Sequence, residues 1–258
     1  MLELRNPHSI LAAIAVRPGA VKSIQIPTLN SGDIWEEIAV RATKLRIPVT
    51  EGRRDRTADR GRRDTERAGT GSATVEPPSP VPLEVLLRKP ETSDRPALWL
   101  ALDQVQDPQN LGAVFRLAGF FGIRGIVMTK DRSAPVNATV CDVATGGAEY
   151  VAFSIVSNLA QAIEKTQEND IWVLGTCERS AQRIQDVPLD RNWMLVVGNE
   201  GQGLRRLTRD RCDQLVSLPA SGPVPSLNVA AATSACLAVL TTRMSSDGRA
   251  ASSGKDVP

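Results

Sequence analysis

Histidine is almost missing from this chain: His8 is the sole one in 258 residues. Chemistry elsewhere in the chain therefore has no His base, Ser-His pair or His-ligated metal to use. The four cysteines, Cys141, Cys177, Cys212 and Cys236, lie far apart and form no CxxC pair. That spacing argues against a zinc site or a disulfide framework, so no metal is expected. It also fits a reducing, cytoplasmic setting. No apolar run reaches the length of a membrane-spanning helix. The opening "MLELRNPHSI" has neither the basic start nor the apolar stretch of a signal peptide. The dinucleotide order GxGxxG and the P-loop ending GK[ST] are both absent.

Apolar residues make up 41% of the chain, enough for one large domain or two modest ones. Residues 1–50 read as a small α/β unit. "VKSIQIP" is expected as a strand, "SGDIWEEIAVRATKLRI" as a capped amphipathic helix and "IPVT" as a short strand. The net charge of +2 hides a local bias, because residues 52–67 hold seven arginines. A Gly-, Ser- and Pro-rich stretch follows, in which "ATVEP" is a candidate closing strand and "PLEVLL" a short helix. From Pro96 onward, near-continuous apolar runs alternate with helical patterns, which implies a parallel sheet covered on both faces. The boundaries read this way are a small unit over 1–84, a linker at 85–96, a larger domain over 97–244 and a disordered tail over 245–258.

Parallel sheets place ligands beyond the carboxyl ends of their strands, and three such loops here hold unusual residues. In "LDQVQDPQNLGAVFRLAGFFG", Asn110 is a plausible helix N-cap. Leu111, Val114, Phe115, Ala118 and Phe121 share one helical face, with Arg116 off it, flanked by Gly112 and Gly119. Arg116 reads either as a solvated surface residue or as a phosphate or ribose contact. In "MLVVGNEGQGLRRL", a buried strand runs into a glycine loop whose backbone N–H groups could meet a ligand. Glu200 within it suits a polar partner or a helix start. In "LVSLPASGPVPSLNVAAATSACL", Ser226 is a candidate N-cap, while Asn228 calls for a specific partner.

Together the three loops resemble the SpoU (TrmH) family of RNA 2′-O-ribose methyltransferases within the SPOUT superfamily. Asn110, Gly112 and Arg116 match N-x-G-x-x-x-R. Gly198, Glu200 and Gly203 match G-x-E-x-x-G. Pro219, Gly222 and Ser226-Leu227-Asn228-Val229 match a Pro-containing loop ending S-L-N-V. "KDRSAPVNATVCDVATGGAEYVAF" and "GLRRLTRDRCDQLVSLP" are similar to the bacterial subgroup acting on a guanosine ribose in 23S rRNA. The chain departs from the family in Ala230, where a Ser usually stands, in Pro223 and Pro225, and in lacking His-Gln-Gly before the small domain's last strand.

The resemblance implies an α/β parallel-sheet methyltransferase domain with a C-terminal trefoil knot, preceded by a small RNA-binding domain like ribosomal protein L30. It implies S-adenosylmethionine as cofactor, ribosomal RNA as substrate and a homodimer. Asn110, Arg116, Glu200, Ser226 and Asn228 are the implied catalytic set. Thr176, Gly198, Gly203, Leu218 and Leu227 are the implied cofactor contacts. Arg53, Arg54, Arg62 and Arg63 are candidate RNA contacts, although the arginine run, interleaved with Asp and Glu, reads equally as a polar linker. Within the family, a tRNA ribose methyltransferase is the alternative. A non-catalytic RNA-binding assembly factor with the same fold is the alternative of another class.

Overall fold

The computed structural model describes residues 1–27, 32–52, 71–88, 96–199, 201–224 and 226–252, with backbone alone for 245–252. In chain order the elements are β1 (Leu2–Leu4), α1 (Pro7–Val16), β2 (Val21–Ile26), α2 (Gly32–Lys44), β3 (Val49–Glu51), β4 (Ser72–Val75) and α3 (Leu83–Leu86). There follow β5 (Leu98–Asp103), α4 (Pro108–Phe121), β6 (Ile126–Thr129), α5 (Ala138–Ala144), α6 (Gly147–Tyr150), β7 (Phe153–Val156) and α7 (Leu159–Glu168). The last are β8 (Trp172–Thr176), β9 (Trp193–Gly198), α8 (Arg206–Arg211), β10 (Gln214–Val216) and α9 (Val229–Ser252). α9 thus runs beyond Arg243 into the segment read as a tail. The chain divides into two compact units, Met1–Pro78 with Pro135–Tyr150, and Ser79–Ala134 with Val151–Pro258.

The smaller unit has a four-stranded sheet in the order β1-β4-β2-β3. β4 lies antiparallel to both β1 and β2, whereas β3 is parallel to β2. Pro7 at the first helical position and Asn6 as cap, accepting from the His8 N–H at 2.9 Å, start α1. Ile10, Ala13 and Ile14 of α1 join Ile24, Ile38 and Val75 in the core.

The sequence boundaries did not foresee the excursion between β6 and β7, which belongs to this unit. The Asp142 carboxylate accepts the backbone N–H groups of Arg5 and Asn6, each at 3.0 Å. Ser9 donates to the Cys141 carbonyl at 2.7 Å. The buried Glu149 carboxylate is answered by Arg17 through Nε at 2.5 Å and Nη2 at 2.8 Å. A buried carboxylate needs such a partner. Burial also pushes the Cys141 thiol up to about 12, leaving it protonated and inert.

The larger unit is built on a six-stranded sheet in the order β10-β8-β9-β5-β6-β7, with every pair parallel. β5 and β6 are buried along their whole length, as a sheet covered on both faces requires. Trp99 and Trp193 are fully buried, and each indole N–H finds a carbonyl, of Leu86 and Pro188, at 2.9 Å. Phe115 of α4 meets Phe153 of β7 edge-to-face at 5.6 Å. Burying such a ring contributes roughly 2–3 kcal/mol.

Strand order fixes where a ligand belongs. From β5 the chain moves outward to β6 and β7, then returns to lay β9 on the other side of β5. The reversal makes β5/β9 a topological switch point, and in open α/β sheets ligands bind at the carboxyl ends beside such a point. There Asp103 of β5 stands in register with Gly198 of β9.

Candidate active site

The loop after β5 carries the first group. Asp107 caps α4, accepting from the Gln109 N–H at 2.9 Å, with Pro108 at the first helical position. Asn110 is therefore not the N-cap that the sequence suggested. Asp-Pro is the stronger start signal, and it places Asn110 inside the first turn. Leu111, Val114, Phe115 and Ala118 are fully buried as expected, but Phe121 is half-exposed and Phe120 is 81% exposed. Arg116 is exposed and makes no hydrogen bond or ion pair among the described residues.

The second loop closes on itself. Asn199 and Gly203 exchange two backbone hydrogen bonds of 3.1 and 2.9 Å, and the Gly201 N–H donates to the Asn199 side chain at 2.9 Å. Gly203 has φ +65°, a conformation that favours glycine. The donors expected to face a ligand are thus spent within the loop at positions 199, 201 and 203. Asn199 Nδ2 also donates to the Gln104 carbonyl at 2.9 Å, tying the loop to the end of β5. Glu200 lies outside the described residues, as do Arg53, Arg54, Arg62 and Arg63.

The third loop is open. The backbone N–H groups of Leu218, Ala220, Ser221 and Gly222 donate to nothing among the described residues. Leu218 is half-buried, while Leu227 is 58% and Val224 68% exposed. Ser226 is exposed and is not the N-cap of α9. That role falls to Asn228, whose Oδ1 accepts from Ala230 N at 2.8 Å and from Ala231 N at 3.4 Å. Its other half, Nδ2, donates to Asn110 Oδ1 at 2.8 Å. One amide therefore caps the last helix and joins the third loop to the first. Ala230 contributes only its backbone N–H to the cap, which any residue other than proline supplies.

Asn228 has a separable pair of tasks. Asn228→Ala removes both and is expected to cost about 2 kcal/mol, while Asn228→Ser, a good cap too short to reach Asn110, is expected to cost about half that. Urea unfolding of the two variants measures the difference. Equal losses would mean that the bond to Asn110 carries the whole effect.

Thr176, at the end of β8, is half-buried and donates to the Val196 carbonyl at 3.1 Å. Among the residues not anticipated are Asp103, Gln104, Asn199 and Arg205. Gln104 holds φ +64° directly after β5, with its N–H on the Thr129 hydroxyl at 3.2 Å. The readable signal was an Asp ending the apolar run "ALWLALD". Burial pushes the thiols of Cys212 and Cys236 up to about 12, which removes both as nucleophiles at neutral pH.

These loops fall inside a stretch that matches a known family model, the SpoU rRNA Methylase family, over residues 97–238. The chain is 38% identical over 236 residues to the 23S rRNA (guanosine-2'-O-)-methyltransferase RlmB of Pseudomonas putida, covering 89% of this chain and 92% of that one. It is 39% identical, with the same coverage, to the RlmB of Pseudomonas aeruginosa. Among solved structures, the SpoU methyltransferase AviRb from Streptomyces viridochromogenes, in complex with AdoMet, matches with a TM-score of 0.75 at 20% identity, over 95% of this chain and 90% of that one. An AdoMet-bound rRNA methyltransferase from Sinorhizobium meliloti matches with a TM-score of 0.72 at 20% identity, over 94% and 87%. With the family model covering more than half of its length, and close relatives aligned over nearly all of it, the chain belongs to the SpoU rRNA methylase family.

Proposed function

We propose that this protein transfers a methyl group from S-adenosylmethionine to the ribose 2′-hydroxyl of a guanosine in 23S rRNA. The observation that carries this is the linkage of three family loops beyond the carboxyl ends of the strands, the third joined to the first by the bond from Asn228 to Asn110 and the second tied to the end of β5 by Asn199. The relatives aligned along most of the chain support the choice of substrate.

The residues present fit the cofactor. The third loop offers open backbone donors beside the apolar side chains of Leu218 and Leu227. Such a surface suits a ligand with a polar base, a ribose and a short apolar chain. Leu218, Leu227, Gly198 and Thr176 would hold it, Gly203 acting through the closed second loop. When bound, S-adenosylmethionine supplies an activated methyl group. The protein's share is alignment of the attacking hydroxyl and passage of its proton. Arg116, exposed and unpaired among the described residues, clamps the target phosphate and hydroxyl through its planar fork. A substrate phosphate oxygen takes the proton, because a guanidinium offers donors and no acceptor. Asn110, Asn228, Ser226 and Glu200 orient these groups.

The same reading includes the trefoil knot in the larger unit, an L30-like role in RNA binding for the smaller one, and a cytoplasmic location. It also includes a homodimer, which would cover the exposed ring of Phe120. Mapping ribose methylation on total RNA from cells with and without the protein tests the function. One guanosine in 23S rRNA is expected to lose its methyl group. A lost mark in tRNA would reassign the substrate, and an unchanged map would defeat the activity.

A further inference from the structure

Asp103, the last residue of β5, is fully buried. Arg205 answers it twice, with its backbone N–H on Oδ2 at 3.0 Å and its Nε on Oδ1 at 2.7 Å. Its terminal Nη groups have no partner among the described residues, and 41% of the side chain is exposed. The guanidinium is therefore anchored through Nε, so less freedom remains to be lost when an oxyanion binds to its Nη groups.

Arg209 follows one turn later, its N–H on the Arg205 carbonyl at 2.9 Å. It is exposed and has no ion pair among the described residues. The other two arginines of this segment are answered, Arg206 by Asp210 at 3.6 Å and Arg211 by Glu164 at 2.5 Å. Like charges four residues apart repel. Arg205, standing at the N-cap, also makes no side-chain cap bond, and positive charge there opposes the helix dipole. Neutralising Asp103 accounts for Arg205 but not for an unanswered Arg209 on the same face. Local choices that cost stability in this way mark functional surface.

We propose that Arg205, oriented by Asp103, and Arg209 together hold backbone phosphates of the RNA substrate beside the carboxyl ends of β5 and β9. The inference rests on the functional reading above and adds the place where the larger unit grips its substrate. Two arginines whose backbone positions are about 6 Å apart along the helix axis suit the repeated charges of a polyanion better than the single carboxylate of the cofactor.

The test is the affinity of the full chain for a 23S rRNA transcript across a salt series, alongside S-adenosylmethionine affinity and thermal unfolding. Arg209→Gln, exposed and so harmless to folding, is expected to make the slope of log affinity against log salt shallower by about 0.7 to 0.9, with cofactor affinity unchanged. Arg205→Lys keeps a charge near Asp103 and is expected to raise KM for RNA several-fold at constant kcat. A wild-type slope in Arg209→Gln, or a loss confined to cofactor affinity, overturns the site. Wild-type protein that binds the transcript with the expected slope but methylates no RNA defeats the activity and leaves the site standing. Methylation with no change in slope defeats the site alone.

Discussion

Replacing Arg116 with lysine is expected to lower kcat for methyl transfer about a hundredfold, with folding and S-adenosylmethionine affinity unchanged. The two halves of that expectation have separate causes. Arg116 is exposed on α4 and makes no hydrogen bond or ion pair among the described residues. A surface substitution of this kind stays within about 0.5 kcal/mol of wild type. The reaction is affected differently, because lysine keeps the charge and loses the planar fork that fixes a phosphate and a hydroxyl together. Misplacement of a reacting group by an ångström costs on the order of a hundredfold. The pH–rate profile separates a clamp from a base. As a base, lysine would outperform arginine and shift the profile toward lower pH, given its lower reference pKa of about 10.4. As a clamp, it leaves the profile in place and lowers its height. Activity near wild type would take Arg116 out of the reaction.

Much of the sheet was legible because its strands are apolar end to end, and that pattern has one ready explanation in a parallel sheet covered twice. The buried face of α4 was legible from its period, except at Phe121, where the helix ends at Gly122 and leaves the ring half-exposed. The caps were misplaced for a shared reason. Asn110 and Ser226 are both good cap residues, but local preference does not say which of several candidates the chain will use. Asp107-Pro108 took the first cap, and Asn228 took the second. The partner that Asn228 needed could be anticipated; its identity could not, since Asn110 is 118 residues away. The 135–150 excursion was illegible for the same reason. Asp142 and Glu149 look like solvated charges in sequence, and only the fold sets them against Arg5, Asn6 and Arg17.

Gly198→Ala is expected to be the most damaging single methyl group in the larger unit, and Gly201→Ala, three residues on, to be nearly silent. A Cβ on Gly198 would overlap the carbonyl group of Gly203 and lie 2.5 Å from the Leu204 nitrogen. All of these are backbone atoms, so no rotamer change relieves the overlap. The alternative is to open the Asn199–Gly203 pair, losing both of its hydrogen bonds and with them the position of Asn199 on Gln104. Overpacking alone costs 1–3 kcal/mol, and with the broken pair we expect about 3 kcal/mol. That corresponds to roughly 6 to 12 °C in Tm for a domain of this size. A Cβ on Gly201 would meet only the Asn199 Oδ1, at 3.6 Å, an ordinary contact. The same overlap explains why the loop needs glycine at 198 whether or not that residue touches a ligand: it lets the chain after β9 fold back onto the end of its own strand. Cofactor affinity then separates the two roles. If the closed loop supports the pocket, Gly198→Ala loses S-adenosylmethionine binding at temperatures where it is still folded, and Gly201→Ala keeps it. Thermal unfolding within a degree or two of wild type for Gly198→Ala would show that the loop can open at little cost, and the pocket would have to be built from the third loop alone.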